Sequence, residues 1–476
     1  METKLGPLNA FMNLRMEDKS VTTRNTARGA ALATAFVLGV SLGTAKTEEV
    51  GTHTNPDPQN ISSSENGKMM WVSPRNDIND YANLQWVFDH ITPGGTVVLD
   101  AGTFFLGDGK LSPRRTVIIR KGVVVTGQME AGTWRTIIRG GGEVMTPGVG
   151  GPLESGPIRI INEEDPNPVV FEGIWFREWA AEVIFIEASR GFKFRNNRIS
   201  HPVNRDSPGI RFVHALWSNG PKARGDFIVE DCLVEMGGYT GEKPADDEQF
   251  LGIFFSNHDT VRIANNVISG IDEAIEILGN RYGNLGPGDP DAPNTPAGIT
   301  VEGNRVISSG KPGQTWPSSF AVLIAGNLLA EFVQVKGNHI TKSGKGWAVG
   351  LSGENLNVVG NTLRFEEQNG AHPSGAIIIG GFGKLGPYEM GNSLKNSVFS
   401  DNIFEGKVTN NGIFFWTGRD GAVRNESSGN FFDVGDSLAA LGARATLFIG
   451  KDMHDNIFEG NLGTVVDKAP PGANEY

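Results

Sequence analysis

The apolar positions of this chain follow a short pattern that recurs along its length. In residues 261–270, Val261 and Ile263 alternate with other residues, Asn266 follows, and Ile268 opens the next apolar run. Alternation of this kind predicts a short strand. Asn suits the turn between two strands because it tolerates left-handed backbone angles and its amide bonds nearby backbone groups. The pattern therefore predicts a repeated strand–turn–strand unit.

The turn position can be followed through much of the chain. Its spacing ranges from 23 to 41 residues, and a repeat of this size with short strands is typical of a β-helix. Equivalent positions on adjacent coils then lie about 4.8 Å apart, so stacked Asn amides bond along the axis. We predict a small buried side chain for Cys232 in this column, the alternative being a reactive thiol. The predicted column comprises Ile174, Asn197, Cys232, Asn266, Asn304, Asn338, Asn361, Asn402, Asn430 and Asn456.

A short amphipathic helix is predicted ahead of the repeats. Residues 77–80 offer several N-cap side chains, and Leu84, Val87 and Phe88 then fall at helical spacing. The Pro-Gly-Gly of residues 93–95 ends the helix. A polar-faced helix at one end of a strand stack covers the open core and blocks edge pairing.

This helix and the Gly-Gly-Thr-Val-Val-Leu-Asp-Ala-Gly-Thr-Phe-Phe of residues 94–105 resemble the N-terminal start of the pectin-lyase-like superfamily. The resemblance covers residues 77–466. It implies an all-β fold, a single-stranded right-handed parallel β-helix (a solenoid) with an N-terminal helical cap. We expect roughly eleven to thirteen coils and a flexible tail at 467–476.

The N-terminal region predicts export. Residues 29–45 carry no charge and follow Arg24 and Arg28, as in a cleaved secretory signal within residues 1–48. An uncleaved anchor or an unrelated helix is the alternative, although the stretch is short for a spanning helix. Residues 49–76 are polar and predict a linker. We expect a secreted, periplasmic or cell-surface protein with no transmembrane domain in the mature chain.

Composition narrows the choice of partners. The 64 glycines and 20% charged residues suit many turns and short strands. The net charge of −12 argues against nucleic acid, a polyanion. An acidic polysaccharide would need a local basic patch or a bridging cation. The single cysteine excludes an internal disulfide and a Cys-cluster metal site. We expect a monomer that binds a polysaccharide or another glycan.

A further strand in each coil is flanked by inserted residues on both sides, and loops on a rigid scaffold are where sites usually lie. In enzymes of the superfamily that the chain resembles, the substrate groove lies on this sheet. We expect two outward rows here, in which His214 and Glu276 are the titratable residues. The first row is Phe185, Leu216, Phe254, Glu276, Leu323, Gly350, Ile378, Phe414 and Phe448. The second is Val183, His214, Gly252, Ala274, Ala321, Ala348, Ala376, Gly412 and Thr446.

Charged residues alternate between neighbouring coils. Residues 190–224 hold eight basic residues and one acidic residue, whereas residues 226–248 hold eight acidic residues and one basic residue. A polysaccharide lyase neutralises a uronate carboxylate, often with Ca²⁺, and needs a base. The acidic coil could hold the ion and the basic coil could meet the substrate. The alternative is solvated faces with ion pairs between coils.

The candidate catalytic residues are His214 as the base, with Arg211 nearby, and Glu276 as an acid or ion ligand. Asp272 and Glu273 are the candidate Ca²⁺ ligands beside Glu276. The alternative for His214 is a packed or solvent-facing histidine.

The candidate substrate-binding residues are two loop residues and two tryptophans. Arg281 and Tyr282 open a long loop and could bind sugar hydroxyls or a carboxylate, the alternative being plain loop surface. Trp316 and Trp347 could stack on sugar rings, the alternative being packing within a wall or the core.

Two functions follow from these features. The first is an exported carbohydrate-active protein, a polysaccharide lyase or related enzyme, which is what the resemblance implies. The second is a non-catalytic β-helix that binds glycans or serves as a structural module outside the cytoplasm. The paired charged coils favour the first, and the sparse titratable groups and apolar outward rows favour the second.

Overall fold

A computed structural model provides the fold. It describes residues 56, 58–75, 80–106, 116–140, 158–179, 182–200, 212–223, 225–236, 249–256, 260–271, 273–278, 298–309, 320–327, 332–368, 370–380, 384–385, 388–389, 394–416, 427–428, 431–433, 441–450, 453–460 and 463–476. The predicted signal within 1–48 lies outside these ranges.

One face of the fold is a sheet of 14 strands, called the first sheet. Its first strand is antiparallel to the second, and each later pair is parallel. Its strands are Ile61–Ser63, Met69–Val72, Thr96–Leu99, Val124–Thr126, Val169–Glu172, Phe192–Arg195, Asp226–Glu230, Thr260–Ala264, Gly298–Glu302, Val333–Lys336, Leu356–Val359, Val398–Ser400, Phe431–Asp433 and Ile457–Glu459.

Two further parallel ladders complete the tube. A bridge between Phe250 and Ile271 joins them into one 24-stranded sheet, but each ladder is named separately as the second and the third sheet. The second sheet comprises Gly102–Phe105, Thr136–Arg139, Ile174–Arg177, Arg198–Ser200, Leu233–Glu235, Val267–Ile271, Arg305–Ser309, His339–Ser343, Thr362–Glu366 and Ile403–Gly406. The third sheet comprises Val117–Ile119, Ile158–Ile161, Ile184–Ser189, Phe212–Ala223, Gln249–Ser256, Ile275–Leu278, Phe320–Asn327, Trp347–Glu354, Gly375–Gly380, Asn411–Trp416, Ala445–Ile449 and Val465–Asp467.

Most coils give one strand to each sheet in turn, as in Val169–Glu172, Ile174–Arg177 and Ile184–Ser189. Every strand then pairs with its equivalent in the next coil, which is the arrangement of a parallel β-helix. The predicted fold class is confirmed. The short elements outside the coils are Pro58–Asn60, a 3₁₀ turn, the hairpins Met129–Glu130 with Thr133–Trp134 and Lys384–Leu385 with Tyr388–Glu389, and the strands Leu394–Lys395 and Ser427–Ser428.

The core fills the inside of the tube. Inward positions alternate with outward ones, as in Val169 and Phe171, which are both fully buried. Phenylalanines of neighbouring coils touch one another there, including Phe192 with Phe227 and Phe227 with Phe255. Burying an apolar side chain of this size stabilises the fold by roughly 1.5–3 kcal/mol.

The predicted column of turn asparagines is confirmed wherever its members are described. Oδ1 of Asn304 accepts hydrogen bonds from the backbone N and Nδ2 of Asn266, at 2.9 and 3.0 Å. Nδ2 of Asn304 donates to the carbonyl of Ile263 at 2.8 Å and to Oδ1 of Asn338 at 3.0 Å. The ladder continues through Asn361 to Asn402. Asn430 lies outside the described residues.

The left-handed turn residue is the one before the ladder asparagine, which corrects the assignment made from the sequence. Asn265 has φ 56° and Asn196 has φ 51°, whereas the ladder asparagines follow them. The preceding residue bends the chain and so leaves the ladder amide free to point inward and bond across coils.

Cys232 occupies a ladder position, as predicted. Its thiol is 3% exposed and donates to the carbonyl of Phe194, 3.3 Å away. Its backbone N donates to Oδ1 of Asn266 at 2.8 Å. Burial raises the pKa of the Cys232 thiol to about 12, so the thiolate needed for reaction is scarce. The structure supports the packing role and not the reactive thiol.

The predicted cap helix is present from Asp80 to His90. The Gln85 side chain donates to the carbonyl of Ile118 at 3.1 Å and accepts from its backbone N at 2.8 Å. Ile118 lies in the first strand of the third sheet, so Gln85 satisfies backbone groups that an edge strand would otherwise expose.

The solenoid extends beyond its predicted bounds at both ends. Within the predicted linker 49–76, the strand Met69–Val72 pairs with Thr96–Leu99 and buries Met70 and Val72 in the core. The predicted flexible tail 467–476 is also packed against the last coil. The polar residues around these segments obscure the short strands Ile61–Ser63 and Met69–Val72 and the further ladder asparagine, Asn474.

At the C-terminal end, Oδ1 of Asn474 accepts from Nδ2 of Asn456 at 2.8 Å and so adds a step to the ladder. The Tyr476 ring stacks on Phe458 with centroids 5.5 Å apart, and its hydroxyl donates to Asp467. Within the described part of the chain, no helix combines the length and the apolar character that crossing a membrane requires.

Candidate functional site

The outer row of the third sheet is set by cross-coil register. Trp217 pairs with Phe254, Phe254 with Glu276, and Glu276 with Leu323. The neighbours of Glu276 in sequence, Ile275 and Ile277, lie in the core, so Glu276 points outward. The complete row is Arg159, Phe185, Trp217, Phe254, Glu276, Leu323, Gly350, Ile378, Phe414 and Phe448.

The predicted row is therefore right except at one position, where Trp217 replaces Leu216. Leu216 pairs with Ile184 and packs in the core. The Trp217 ring stacks on Phe185 with centroids 4.7 Å apart.

The predicted second outward row is wrong. Ala321 and the next residue, Val322, both pack in the core, as do Ala348 and Val349. The wall bends here, and two consecutive inward residues break the alternation. Small residues suit the bend because little space remains behind it. The bend also explains why Leu216 does not lie in the outer row. Even alternation from His214 would place Leu216 outward, whereas the bend turns it into the core.

A flanking row lies one residue before the bend in each strand. His214 pairs with Leu251, Phe320 with Trp347, and Trp347 with Gly375. By the same register, Glu182 precedes His214 and Glu273 follows Leu251. The flanking row is Glu182, His214, Leu251, Glu273, Phe320, Trp347, Gly375, Asn411 and Ala445.

Two carboxyl groups meet where the rows cross one coil. Glu276 of the outer row and Glu273 of the flanking row are hydrogen-bonded through their side chains. Desolvation raises the pKa of Glu276 to about 7, although the hydrogen bond with Glu273 opposes this rise. Near neutral pH the Glu276 carboxyl group is therefore present in both its protonated and its ionised form. The acid pair Glu273–Glu276 thus offers a proton donor and an acceptor near neutral pH.

A second titratable couple lies nearer the N-terminal end. Glu182 and His214 are 2% and 7% exposed, and Oε1 of Glu182 lies 4.0 Å from Nδ1 of His214. Burial raises the pKa of Glu182 to about 8 and lowers the pKa of His214 to about 3. Both groups are therefore uncharged at neutral pH.

The predicted constellation of His214 with Glu276 is not formed by the structure. His214 and Glu273 are separated by the coil of Leu251, which places them about 10 Å apart at two coil spacings. Phe254 lies between the two sites, and the His214 ring meets it edge-on with centroids 5.8 Å apart. The acid pair and the Glu182–His214 couple are separate features of one face.

The C-terminal half of this face carries an outer apolar cluster. Its buried members are Leu278, Phe320, Leu323, Trp347 and Ile378. The Trp347 ring lies so close over Gly375 that a Cβ there would fall 2.0 Å from Cζ3 of the indole. Trp347 is 2% exposed, which supports the packing alternative over the sugar-stacking one.

The remaining predicted site residues Arg211, Asp272, Arg281, Tyr282 and Trp316 lie outside the described residues. Within the part that the structure describes, no three His, Cys, Asp or Glu side chains are grouped as metal ligands. Glu273, a predicted Ca²⁺ ligand, bonds the side chain of Glu276. Calcium binding stays a prediction.

The charged coils form a chain of ion pairs on the first sheet. Glu230 lies 2.6 Å from Arg195, and Glu302 lies 2.9 Å from Arg262 and 3.1 Å from Lys336. Arg262 also pairs with Glu230, which joins the two groups into one chain across coils. These charges therefore follow the ion-pair alternative and lie on a different sheet from the acid pair.

Sequence reasoning missed Glu182 and Trp217. A signal for Glu182 was present, because Glu182-Val183-Ile184 matches Glu273-Ala274-Ile275 in register. In each case the Glu stands before the bend and the Ile begins the inward run. Locating Trp217 required the bend itself.

Comparisons with known proteins concern the fold. No family model and no curated protein matches the chain. The A-module of Azotobacter vinelandii mannuronan C-5 epimerase AlgE4 is a similar solved structure, with 13% identity, TM-score 0.34 and coverage of 79% of this chain and 90% of that one. A PL6 family polysaccharide lyase from Pseudopedobacter saltans has 9% identity, TM-score 0.33 and coverage of 84% and 87%.

The Dettilon tailspike protein has 14% identity and TM-score 0.38, with coverage of 78% of this chain and 68% of that one. At these values the likeness is one of fold and carries no argument about activity. The chain is a parallel β-helix protein, as its sheets and register show.

Proposed function

We propose that this chain is a carbohydrate-active enzyme, a polysaccharide lyase or related enzyme, that acts at the Glu273–Glu276 pair on the outer face of the third sheet. The observation that carries the proposal is that pair, in which two hydrogen-bonded carboxyl groups lie outside the core. Breaking a glycosidic bond by hydrolysis or by elimination needs a proton donor and a proton acceptor at one place.

Glu276 is the acid–base group in this proposal, and Glu273 bonds its side chain. A pKa near 7 leaves both protonation states of Glu276 populated at neutral pH. Phe254, half-buried beside Glu276 in the outer row, offers an apolar ring face to a sugar. The protonated form of Glu276 also reduces the repulsion that a uronate would meet from a chain of net charge −12.

The second candidate function is a non-catalytic glycan-binding or structural module. The outer apolar cluster favours it, because the outer-row side chains described beyond Glu276, from Leu323 to Phe448, include no titratable group. Among the described outer-row side chains, Glu276 is thus the one carboxyl group.

The test is turnover on a panel of uronate and neutral polysaccharides, with and without Ca²⁺. Unsaturated-product absorbance reports elimination, and new reducing ends without that absorbance report hydrolysis. Glu276→Gln is expected to lower turnover by about 10²- to 10⁴-fold, the range of a lost acid–base group. Glu405→Gln, an exposed carboxyl on the second sheet, is the control and should retain full turnover.

Full turnover by Glu276→Gln would remove the proposed site. Retention of a glycan with no product from any polymer would instead favour the binding module. If turnover requires Ca²⁺ and Glu273→Gln loses this Ca²⁺-dependent turnover, the result would support the predicted metal role of Glu273 over its role as a proton partner.

A further inference from the structure

One carboxyl oxygen of Glu182 has no hydrogen-bond partner among the residues that the structure describes. Its side chain is 2% exposed, and among the described residues Oε2 has no hydrogen-bond partner. Oε1 lies 4.0 Å from Nδ1 of His214, which is beyond hydrogen-bond distance. Buried polar oxygens are nearly always bonded, so this one is expected to bond a group that enters the site.

The surroundings of Glu182 are aromatic on the side of the outer row. The His214 ring stacks on Trp217 with centroids 5.5 Å apart and planes at 15°, and it meets Phe254 edge-on. Trp217 stacks in turn on Phe185. Aromatic faces beside a few fixed polar groups are what sugar recognition uses, since a sugar ring has apolar faces and a polar rim.

We propose that Glu182 and His214 form a binding subsite for one sugar unit of a glycan chain, with the half-buried Phe254 against its apolar face. The inference rests on the proposed function only in taking a glycan as the ligand. The subsite lies about 10 Å from the acid pair along the stack, two coil spacings away. A glycan that reaches both sites must therefore be longer than one that reaches the acid pair alone.

The chemistry of the subsite admits neutral and acidic sugars. Because burial raises the pKa of Glu182 to about 8, its carboxyl group is protonated at neutral pH and donates a hydrogen bond. A hydroxyl oxygen or a uronate carboxylate can accept that bond without meeting a negative charge. His214 is uncharged as well and adds no repulsion or attraction of its own.

The experiment is calorimetric binding of two series of oligosaccharides, galacturonate and glucose oligomers of increasing length, to the full chain. Glu182→Leu is expected to raise Kd by about 10-fold or more for long oligomers, as the loss of a buried hydrogen bond implies. Short oligomers held at the acid pair should bind unchanged. Glu182→Gln should bind long oligomers nearly as wild type does, since its amide still donates.

Glu187→Gln is the matched control, because Glu187 lies on Ile184–Ser189, the strand that follows Glu182, but pairs with Arg159 at the surface. Equal Kd values for wild type and Glu182→Leu at every length, or wild-type binding to neither series, would overturn the subsite. A loss that is equal at all lengths and is shared by Glu182→Gln would show a structural role and overturn it too.

Binding needs no turnover, so the two proposals fail separately. Full turnover by Glu276→Gln removes the proposed reaction centre and leaves the subsite standing on its Kd values. If Glu276→Gln is inactive while Glu182→Leu binds oligosaccharides as wild type does, only the subsite is overturned.

Discussion

Asn304 and Asn266 are joined by two hydrogen bonds, because Oδ1 of Asn304 accepts from both the backbone N and Nδ2 of Asn266. Both side chains are almost fully buried. The Asn304 amide thus fixes the turn of the coil that holds Asn266. Its Nδ2 donates to Asn338, so the same arrangement repeats in the next coil. The column sets the spacing of the coils and so the register of the outer face.

Asn304→Ala is expected to destabilise the chain by roughly 2–4 kcal/mol. It leaves the buried donors of Asn266 and the buried carbonyl of Ile263 without their hydrogen bonds to Asn304. Denaturant unfolding measures the loss. Asn357→Ala, at a half-buried outward position of the first sheet, is the control and should cost less than about 0.5 kcal/mol. Similar losses in both variants would deny the ladder a special role.

Arg262→Met is expected to cost about 1–2 kcal/mol at low salt and less in concentrated salt, because Arg262 joins Glu230 to Glu302. Partial burial would raise the pKa of Glu302, but hydrogen bonds from Lys336 and Arg262 lower it. This contribution is present above the ordinary Glu pKa and is lost as pH falls below it.

Unfolding midpoints at low and high salt measure the effect of Arg262→Met. The control is Arg305→Met, at an exposed position of the second sheet. A salt-independent cost at Arg262 would point to lost packing instead of lost charge.

Glu182→Gln is expected to weaken the pH dependence of stability. The pKa of Glu182 is raised by burial from 4.5 to about 8 in the folded chain. Between those pH values only the unfolded chain ionises, so stability falls as pH rises through that window, by up to about 5 kcal/mol. The neutral amide removes this term, which unfolding midpoints across the window measure.

His214 acts in the opposite direction, since its pKa falls from 6.5 to about 3 and its cost appears as pH drops below 6.5. Stability of Glu182→Gln should therefore still fall toward acid pH. An unchanged slope above pH 4.5 would mean that Glu182 ionises in the folded chain.

Gly375→Ala is expected to destabilise the chain by about 1–3 kcal/mol, as overpacking does. The added Cβ would lie 2.0 Å from Cζ3 of Trp347 and 2.6 Å from the carbonyl of Asn411. In a Trp347→Leu background the same change should cost less, because the indole contact is gone. Thermal unfolding of the four chains of this double-mutant cycle measures the coupling, and additive costs would contradict the contact.

Cys232 is expected to resist thiol reagents in the folded chain and to react at once in denaturant. Its pKa of about 12 and 3% exposure both suppress the thiolate. The modification rate should thus follow global unfolding, with Asn304→Ala accelerating it. Rapid labelling of native protein would show that this coil opens by itself.

The sequence by itself determined the repeat, the parallel β-helix and the column of turn asparagines. It also placed Glu276 outward between Phe254 and Leu323. These features are local, because strand alternation and the Asn turn are written within each coil and every coil repeats them. The helical cap followed in the same way from spacing and N-cap residues.

Only the tertiary structure decided which side chains meet. The hydrogen bond of Glu273 with Glu276 and the approach of Glu182 to His214 depend on a bend where two consecutive residues face the core. That bend breaks the two-residue period, so Trp217 took the place assigned to Leu216. Contacts across coils join residues about 30 positions apart in sequence. Inserted loops set this separation, so the local pattern does not determine which residues meet.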